Sequence, residues 1–471
     1  MKMRPDSWLA VLAALFVCAS LAPAQEGQNE GLDREFQSAV KQYDAGKYAE
    51  AAAGLAKLLP QATKSFEVHE LLGLCYAAQS QYSKADEQLE TAVRLNPNSA
   101  QVRTNLAASF AHDGKPEMAI AQLETAVALS PKDYDANHNL GELYIQTGKL
   151  SKAIPFLEAA QVIQPASYDN GYDLAMARFL TTRYEEAAQQ AQRLLQQKDT
   201  AELHNLLGQI DEKSGKYVDS ANEFQLAAHM DPSEDNLFDW GSELLLHRTY
   251  DPAIEVFQRA TQLFPASARL QVGLGMTLDL RGRYDDAVKA LLTAADLNPS
   301  DPRCYLFLSK AYGSSPNLAE DVIRRFRRYA ELQPTNAMAQ YYYAMSLWKG
   351  EQLEDSSLDL GLVEALLKKS LALDDKLPEA HVQLGNLYAD QHHFVESIPE
   401  YRRALELNPN LPDAHYRLGQ DYVHVGQKDQ AQQEFAVYQK LRAEHLAEED
   451  KERAEVQQFV YAAKATSSSK P

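Results

Sequence analysis

The fold is decided by the stretch YDANHNLGELYIQTGKLSKAIPFLEAAQVIQP, residues 134–165, because edited copies of it fill most of the chain. A proline closes many of these copies at intervals of about 34 residues or twice that, and such a period is the signature of a stacked repeat protein. These prolines are Pro97, Pro131, Pro165, Pro232, Pro265, Pro299, Pro334 and Pro409.

Each copy predicts two helices joined by a turn. Apolar side chains such as Leu140 and Tyr144 stand four residues apart, which is helical spacing. Gly148 marks the turn, because glycine adopts the left-handed conformation that ends many helices. Pro165 cannot continue the second helix. We therefore predict an all-α fold, an α-solenoid forming a right-handed superhelix of about twelve helix-turn-helix repeats.

Small residues predict how the two helices of a repeat approach each other. Gly73 and Gly141 occupy the eighth position of their copies, although glycine within a helix costs about 0.5 to 1 kcal/mol relative to alanine. Large residues such as Leu89 and Leu157 occupy the second helix. We interpret these pairs as small-against-large packing rather than as a chemical site.

This pattern resembles the tetratricopeptide repeat, whose helix-turn-helix unit is about 34 residues long. The copy at 66–99 has the matching residues Leu72, Gly73, Tyr76, Tyr82, Ala85, Leu89, Ala92 and Pro97. The resemblance implies a binding scaffold but no particular partner, since the family serves many unrelated binding tasks.

Alignment on the prolines divides the chain into domains. We predict a repeat solenoid over 32–445, a linker at 25–31, a capping helix at 446–463 and a disordered tail at 464–471. Repeats start near residues 32, 66, 100, 134, 168, 201, 234, 268, 302, 337, 378 and 412. The repeat at 337 carries extra residues at 350–357, which are either a neutral loop extension or a loop beside a binding face.

The N-terminus predicts export. Lys2 and Arg4 precede an apolar run that ends at Ala22, and small residues follow it. We expect residues 1–24 to be a signal peptide cleaved near Ala24, before Gln25, and the protein to be periplasmic or secreted. The run of about 15 residues is shorter than a membrane span of roughly 20, although retention as an anchor stays open.

Charge and cysteine content restrict the partners. The net charge is −20, from 66 acidic and 46 basic residues, so we expect no nucleic acid partner and favour a basic protein or peptide. Cys75 and Cys304 lie about seven repeats apart, where each repeat contacts only its neighbours, and we expect buried free thiols. We expect a monomer or a weak homo-oligomer.

The resemblance implies that positions two, five, nine, twelve and thirteen of each repeat point into a concave groove. Aromatic residues and methionine at these positions are typical of adaptable peptide-binding surfaces. The alternative is that they pack against neighbouring repeats. The predicted partner-binding residues are Tyr172, Met176, Phe179, Phe238, Met276, Tyr341, Met345 and Trp348, and the predicted acidic rim is Asp169, Glu202, Glu212, Asp235 and Asp279.

We predict no catalytic, cofactor-binding or metal-binding residues. Four histidines share the fourth position of their repeats, which we interpret as packing: His69, His204, His381 and His415. The basic cluster at 324–328 has carboxylates at helical spacing, which favours a solvated, ion-paired face.

The sequence thus predicts a non-catalytic scaffold that binds a peptide or protein in its groove, in envelope assembly or an exported complex. One alternative is an enzyme or accessory subunit acting on cell-envelope polysaccharide or protein. Another is a structural, self-assembling protein. No catalytic constellation supports the enzyme in this sequence.

Overall fold

The computed structural model describes residues 26–314, 318–351 and 359–444. They belong to two compact units, unit 1 up to residue 214 and unit 2 from residue 215. The predicted signal peptide at 1–24, the capping helix at 446–463, the tail at 464–471 and most of the extra loop at 350–357 lie outside the described residues.

Unit 1 is a stack of antiparallel helix pairs in which each helix packs against the next. Its helices are α1 Glu26–Asp44, α2 Tyr48–Leu58, α3 Phe66–Ala78, α4 Tyr82–Leu95, α5 Ala100–His112, α6 Pro116–Leu129, α7 Tyr134–Gln146, α8 Leu150–Ile163, α9 Tyr168–Leu180, α10 Tyr184–Gln197 and α11 Ala201–Lys213.

Unit 2 repeats the same arrangement. Its helices are α12 Tyr217–Met230, α13 Glu234–Leu246, α14 Tyr250–Leu263, α15 Ala268–Leu280, α16 Tyr284–Leu297, α17 Pro302–Ser314, α18 Ala319–Leu332, α19 Ala337–Glu351, α20 Leu360–Leu373, α21 Pro378–Asp390, α22 Phe394–Leu407 and α23 Pro412–His424, followed by a helix at 428–444. The described residues contain no strand, so the predicted all-α repeat fold is confirmed within each unit.

The first helix differs from the expected linker. We predicted a linker at 25–31, but α1 begins at Glu26. No proline interrupts residues 26–44, so no residue in this stretch lacks the backbone N–H that the helix needs.

Capping residues explain where the first helix of each repeat begins. Ser65, Ser99 and Asp133 accept a hydrogen bond from the backbone amide three residues on, which is the N-cap interaction. Thr200 does the same although its repeat lacks the preceding proline. The cap can therefore set the start of a helix where the proline is absent.

The small-against-large packing is confirmed. A Cβ built on Gly73 would lie 2.6 Å from Leu89 Cγ, and one on Gly385 would lie 2.8 Å from Tyr401 Cε1. The side chains of Leu89 and Tyr401 are fully buried. Each glycine thus admits a large side chain of the second helix into the backbone of the first.

The position-four histidines pack as predicted. His381 contacts Glu400 Oε2 through Nδ1 at 2.6 Å and the Asp375 carbonyl through Nε2 at 3.2 Å. His415 likewise lies between Glu434 and the Pro409 carbonyl, at 2.5 and 3.0 Å. These buried rings tie the first helix to the second helix and to the preceding loop.

Both described cysteines are free and buried, as predicted. Burial raises the pKa of Cys75 to about 12 and that of Cys304 to about 11, so neither thiol ionises readily near neutral pH. Among the described helices we find none long and apolar enough to cross a membrane.

A buried carboxyl group links successive repeats in unit 1. Glu70 of α3 is 4% exposed, and its Oε1 accepts a hydrogen bond from Asn105 Nδ2 of α5 at 2.8 Å. Burial raises the pKa of Glu70 to about 7, Glu67 adds to this shift, and the Asn105 hydrogen bond opposes it. Ionised Glu70 therefore carries a desolvation cost.

We expect Gly73→Ala to lower the free energy of unfolding by about 1–3 kcal/mol, because the new methyl group would overlap Leu89. Denaturant unfolding followed by circular dichroism measures this. The matched control is Gly54→Ala in α2, where a Cβ meets nothing within 4 Å and should stabilise by about 0.5–1 kcal/mol. Equal changes in the free energy of unfolding for the two substitutions would contradict the close packing of Gly73 against Leu89.

We expect Glu70→Gln to stabilise the protein increasingly with pH, by about 1 kcal/mol at pH 5 and about 3 kcal/mol at pH 8. The folded pKa lies above the ordinary value of 4.5, so the wild type loses stability between pH 4.5 and 7 while the amide does not. Unfolding curves across this range measure the difference. The control is Glu90→Gln, on the exposed face of α4. A stability difference between Glu70→Gln and the wild type that does not change with pH would contradict the raised pKa of Glu70.

Candidate functional site

A cavity lies in unit 2, on the first helices of three successive repeats. It has a volume of about 660 Å³ and is bounded by α13, α15 and α17, with contributions from α14 and the turn before it. Its lining residues are Phe238, Ser242, Leu245, Leu246, Arg248, Tyr250, Phe257, Arg269, Val272, Gly273, Met276, Leu280, Arg303 and Phe307.

Apolar side chains form the wall and floor of this pocket. Phe238 and Met276, two of the predicted partner-binding residues, both line it and are half-buried. Leu246 and Leu280 stand at its edge, 62% and 55% exposed. Such exposed leucines at a cavity mouth offer apolar area to a bound side chain.

The floor of the pocket is the ring of Phe257. This ring is fully buried in α14 and lies 6.2 Å, centroid to centroid, from the ring of Phe238. A Cβ on Gly241 or Gly273 would overlap the ring, so neither glycine can be enlarged without moving it. Two first helices therefore close on one aromatic side chain.

Arginines, not carboxylates, stand at the pocket edge. Arg269 lies 4.9 Å over the Phe238 ring, donates to Glu234 Oε1 at 2.6 Å and also pairs with Asp235. Arg303 donates to Asp301 Oδ2 at 2.7 Å. The rim is thus built from ion pairs.

The predicted acidic rim is wrong at this pocket. Asp235 is paired with Arg269 of the next repeat, and Asp279 does not line the cavity. Burial raises the pKa of Asp279, and Lys310 opposes that shift. Arg269, at position two of the next repeat, thus neutralises Asp235, which we expected to be open.

Arg248 occupies a turn in which six other repeats place glycine. Its φ is 58°, in the left-handed region, while Gly148 and Gly282 adopt 72° and 83° at the equivalent turns. A non-glycine residue in this conformation carries backbone strain. Ser80, Thr182 and His392 also have a positive φ, at turns of other repeats. Of these four residues, only Arg248 lines the pocket.

Three predicted residues, Tyr172, Met176 and Phe179, lie together on α9 in unit 1. They are half-buried and pack against the hydrophobic cluster that contains Ala175 and Leu194. Their role as partner contacts stays a prediction.

The last predicted group lies on α19 in unit 2. Tyr341 and Met345 are half-buried, but Trp348 is only 7% exposed and belongs to the core cluster with Val363 and Leu384. We expected Trp348 to be open to a partner, and this is wrong. A long aromatic side chain near the end of α19 fills the space against α20 and α21 instead.

The basic cluster on α18 is ion-paired, as its spacing predicted. Arg325 contacts Asp321 one turn earlier at 2.7 Å and Asp296 of α16 also at 2.7 Å. Arg328 contacts Asp296 at 3.0 Å. These contacts tie α18 to α16, and the pairing with Asp296 could not be found from helical spacing alone.

Unit 1 contains a separate cluster of possible metal ligands. His138 and Glu142 of α7 and Asp173 of α9 place one ligand atom each within 4.8 Å of one another. We predicted no metal site. Asp173 is one repeat away in sequence, so spacing within a single helix could not reveal it.

The sequence matches models of the tetratricopeptide repeat in both units. The models described as "Tetratricopeptide repeat" match residues 110–167, 37–100, 72–123 and 238–302, and one described as "TPR repeat" matches 394–426. These segments are therefore similar to the tetratricopeptide repeat, a fold that generally acts as a non-catalytic scaffold for protein interaction. No curated protein matches the chain.

Several solved structures are similar. Yeast Tom70 is 15% identical, with 93% of this chain and 97% of that chain covered and a TM-score of 0.37. A tetratricopeptide repeat protein from Parabacteroides merdae is 16% identical, with 52% and 98% covered and a TM-score of 0.40. A structure of Naa15/Naa10 bound to HypK is 14% identical, with 86% and 68% covered and a TM-score of 0.40.

Proposed function

We propose that this protein is a non-catalytic scaffold that binds a protein partner through the unit 2 pocket, which takes apolar side chains of an extended segment. The observation that carries this proposal is the convergence of Phe238 from one repeat with Met276 and Leu280 from the next on one open cavity. Repeat proteins commonly bind their partners on extended concave surfaces, and this general use supports the proposal.

The size of the pocket suits a short stretch of backbone. It spans α13, α15 and α17, and packed helices lie roughly 8–10 Å apart, so the distance across three of them is about 16–20 Å. An extended chain rises about 3.3 Å per residue and would cross this distance with roughly six residues. Alternate side chains of that segment would face the pocket.

The charge of the pocket favours apolar recognition. Arg269 and Arg303 are already paired with carboxylates of this chain, so neither is an uncompensated charge for the partner. The net charge of −20 still steers basic partners towards the protein at long range. The proposed partner therefore carries apolar anchors, with basic residues outside the pocket.

The two alternatives from the sequence predict other outcomes. An enzyme would need a reactive group, and burial raises the pKa of both described cysteine thiols. A self-assembling protein would bind its own copies rather than a peptide. We propose the scaffold because the pocket offers apolar area for a partner.

The test is selection of a displayed random peptide library on the purified protein. We expect enriched peptides with apolar residues at alternate positions. The double variant Leu246→Ser/Leu280→Ser should weaken their binding about tenfold or more, because a buried leucine contributes about 1.5–3 kcal/mol. Fluorescence anisotropy of a labelled selected peptide measures the affinity.

The matched control is Leu263→Ser/Leu297→Ser, which removes two similarly exposed leucines from second helices of unit 2. It should bind the peptide as the wild type does. If the pocket variant retains full affinity, or if both variants lose it equally, the pocket is not the binding site. Light scattering measures whether the protein assembles as its concentration rises. Peptide binding that occurs only in the assembled protein would favour the self-assembling alternative over the scaffold.

We further propose that the protein is exported and acts in envelope assembly or in an exported complex. The support is the basic start, apolar run and small residues of positions 1–24. The partner would then be a protein of the same compartment.

We expect residues 1–31 fused to alkaline phosphatase to give active enzyme in a bacterial host, since this enzyme folds only after export. N-terminal sequencing of the mature protein should begin at Gln25. A fusion lacking residues 8–22 is the control. Equal activity of the two fusions would overturn export, and a start at Met1 on an exported fusion would indicate an uncleaved anchor.

A further inference from the structure

The strongest unexplained feature of unit 1 is a histidine whose open ring nitrogen faces two carboxylates. His138 and Glu142 are one helical turn apart on α7, so their side chains share a face. His138 Nε2 lies 4.0 Å from Glu142 Oε2, and a carboxylate oxygen of Asp173 from α9 lies within 4.8 Å of both residues' ligand atoms.

The tautomer of His138 is set by Asn170. The Asn170 amide nitrogen donates to the Leu157 carbonyl at 2.9 Å and to Gln161 Oε1 at 2.8 Å, so its other atom is an oxygen. His138 Nδ1 lies 3.2 Å from that oxygen and donates to it. The neutral ring therefore carries its lone pair on Nε2.

The His138 side chain is largely buried, with 7% of the residue exposed, and its Nε2 faces Glu142 Oε2 at 4.0 Å. Gln146 donates to the other oxygen of Glu142, Oε1, at 3.3 Å. A lone pair directed at anionic oxygens is electrostatically unfavourable, and a cation between them removes this repulsion.

The surroundings hold the ring in this position. Tyr134 stacks on His138 with centroids 5.5 Å apart, and its hydroxyl bonds to Ser167 Oγ at 2.7 Å. Three carboxylates, Asp135, Asp169 and Asp173, lie close enough to Tyr134 to interact with it electrostatically. The local field is therefore negative, which favours a cation.

We propose that His138, Glu142 and Asp173 form a binding site for a divalent transition metal, with Zn²⁺ as the best match. Imidazole nitrogen with two carboxylate oxygens is a ligand set that zinc accepts in tetrahedral sites. The Asn170 contact supplies the outer-sphere hydrogen bond that orients metal-ligating histidines. Three protein ligands leave a fourth position open.

The site joins neighbouring repeats. His138 and Glu142 come from α7 and Asp173 from α9, so a bound ion would link two first helices on the same face of unit 1. Asp173 is half-buried, which gives an ion access from solvent. The open fourth position could accept a ligand atom from a partner.

The rival explanation is a protonated His138 that forms ion pairs with the two carboxylates and needs no metal. The two explanations differ in whether zinc binds and in whether Nε2 carries a proton when zinc is present. Both can be measured on the full chain.

The experiment is calorimetric titration of Zn²⁺ into tag-free protein that has been stripped with a chelator, at pH 7.5. We expect one equivalent to bind, with affinity reduced at least tenfold in His138→Gln and in Asp173→Asn. Addition of Co²⁺ should give the visible absorption of a tetrahedral site in the wild type. Zn²⁺ should also raise the melting temperature of the wild type but not of either variant.

His415→Gln is the matched control, because both ring nitrogens of His415 already face acceptors in its repeat. It should keep the zinc equivalent and the cobalt spectrum. Circular dichroism shows whether each variant is folded, and Glu142→Gln provides a third variant if one is not. The proposal is overturned if the wild type binds no zinc, if the His138 variant binds it equally, or if ¹⁵N shifts show His138 protonated on both nitrogens with zinc present.

Discussion

Repeats with glycine at position eight depend on one steric constraint, the entry of a bulky second-helix side chain into the gap that the glycine leaves in the first helix. Gly73 admits Leu89, and Gly385 admits Tyr401, at distances that leave no room for a Cβ. This contact brings two helices close enough to bury a continuous core without a β-sheet or a disulfide in the described residues. Glycine's helix penalty, about 1 kcal/mol, is offset by the dispersion and burial gained at the contact. The capping residues and turns then only need to set where each helix begins and ends.

Much of this architecture could be predicted from the sequence because the determining contacts are local and repeat. The partners Gly73 and Leu89 lie within one copy, and the first helices begin at residues such as 66, 100 and 134, where the aligned copies begin. The turn glycines adopt the positive φ that their position required. Two residues of the pocket, Phe238 and Met276, could also be predicted, because they were selected by position rules that depend on the same period.

What the sequence could not supply are contacts between copies. Arg269 and Arg303 occupy position two of their repeats, one of the positions expected to face the groove. Only the structure shows that they lie at the pocket edge beside their carboxylate partners. Trp348 has the composition of a binding residue, yet its burial depends on how α20 and α21 pack around it. The proximity of Asp173 to His138 depends likewise on the stacking of α7 and α9. Periodicity tells which face a side chain occupies, not what the next repeat brings to it.

Phe257 belongs at once to the core and to the pocket, and this limits how the pocket can change. Two glycines from different first helices press on its ring, so a different floor would require repacking two repeats together. Leu246, Leu280 and Arg248 stand at the edge, where a substitution disturbs few neighbours. New binding preferences can therefore arise in this protein through its rim, while the floor keeps the same shape for as long as the repeats stay folded.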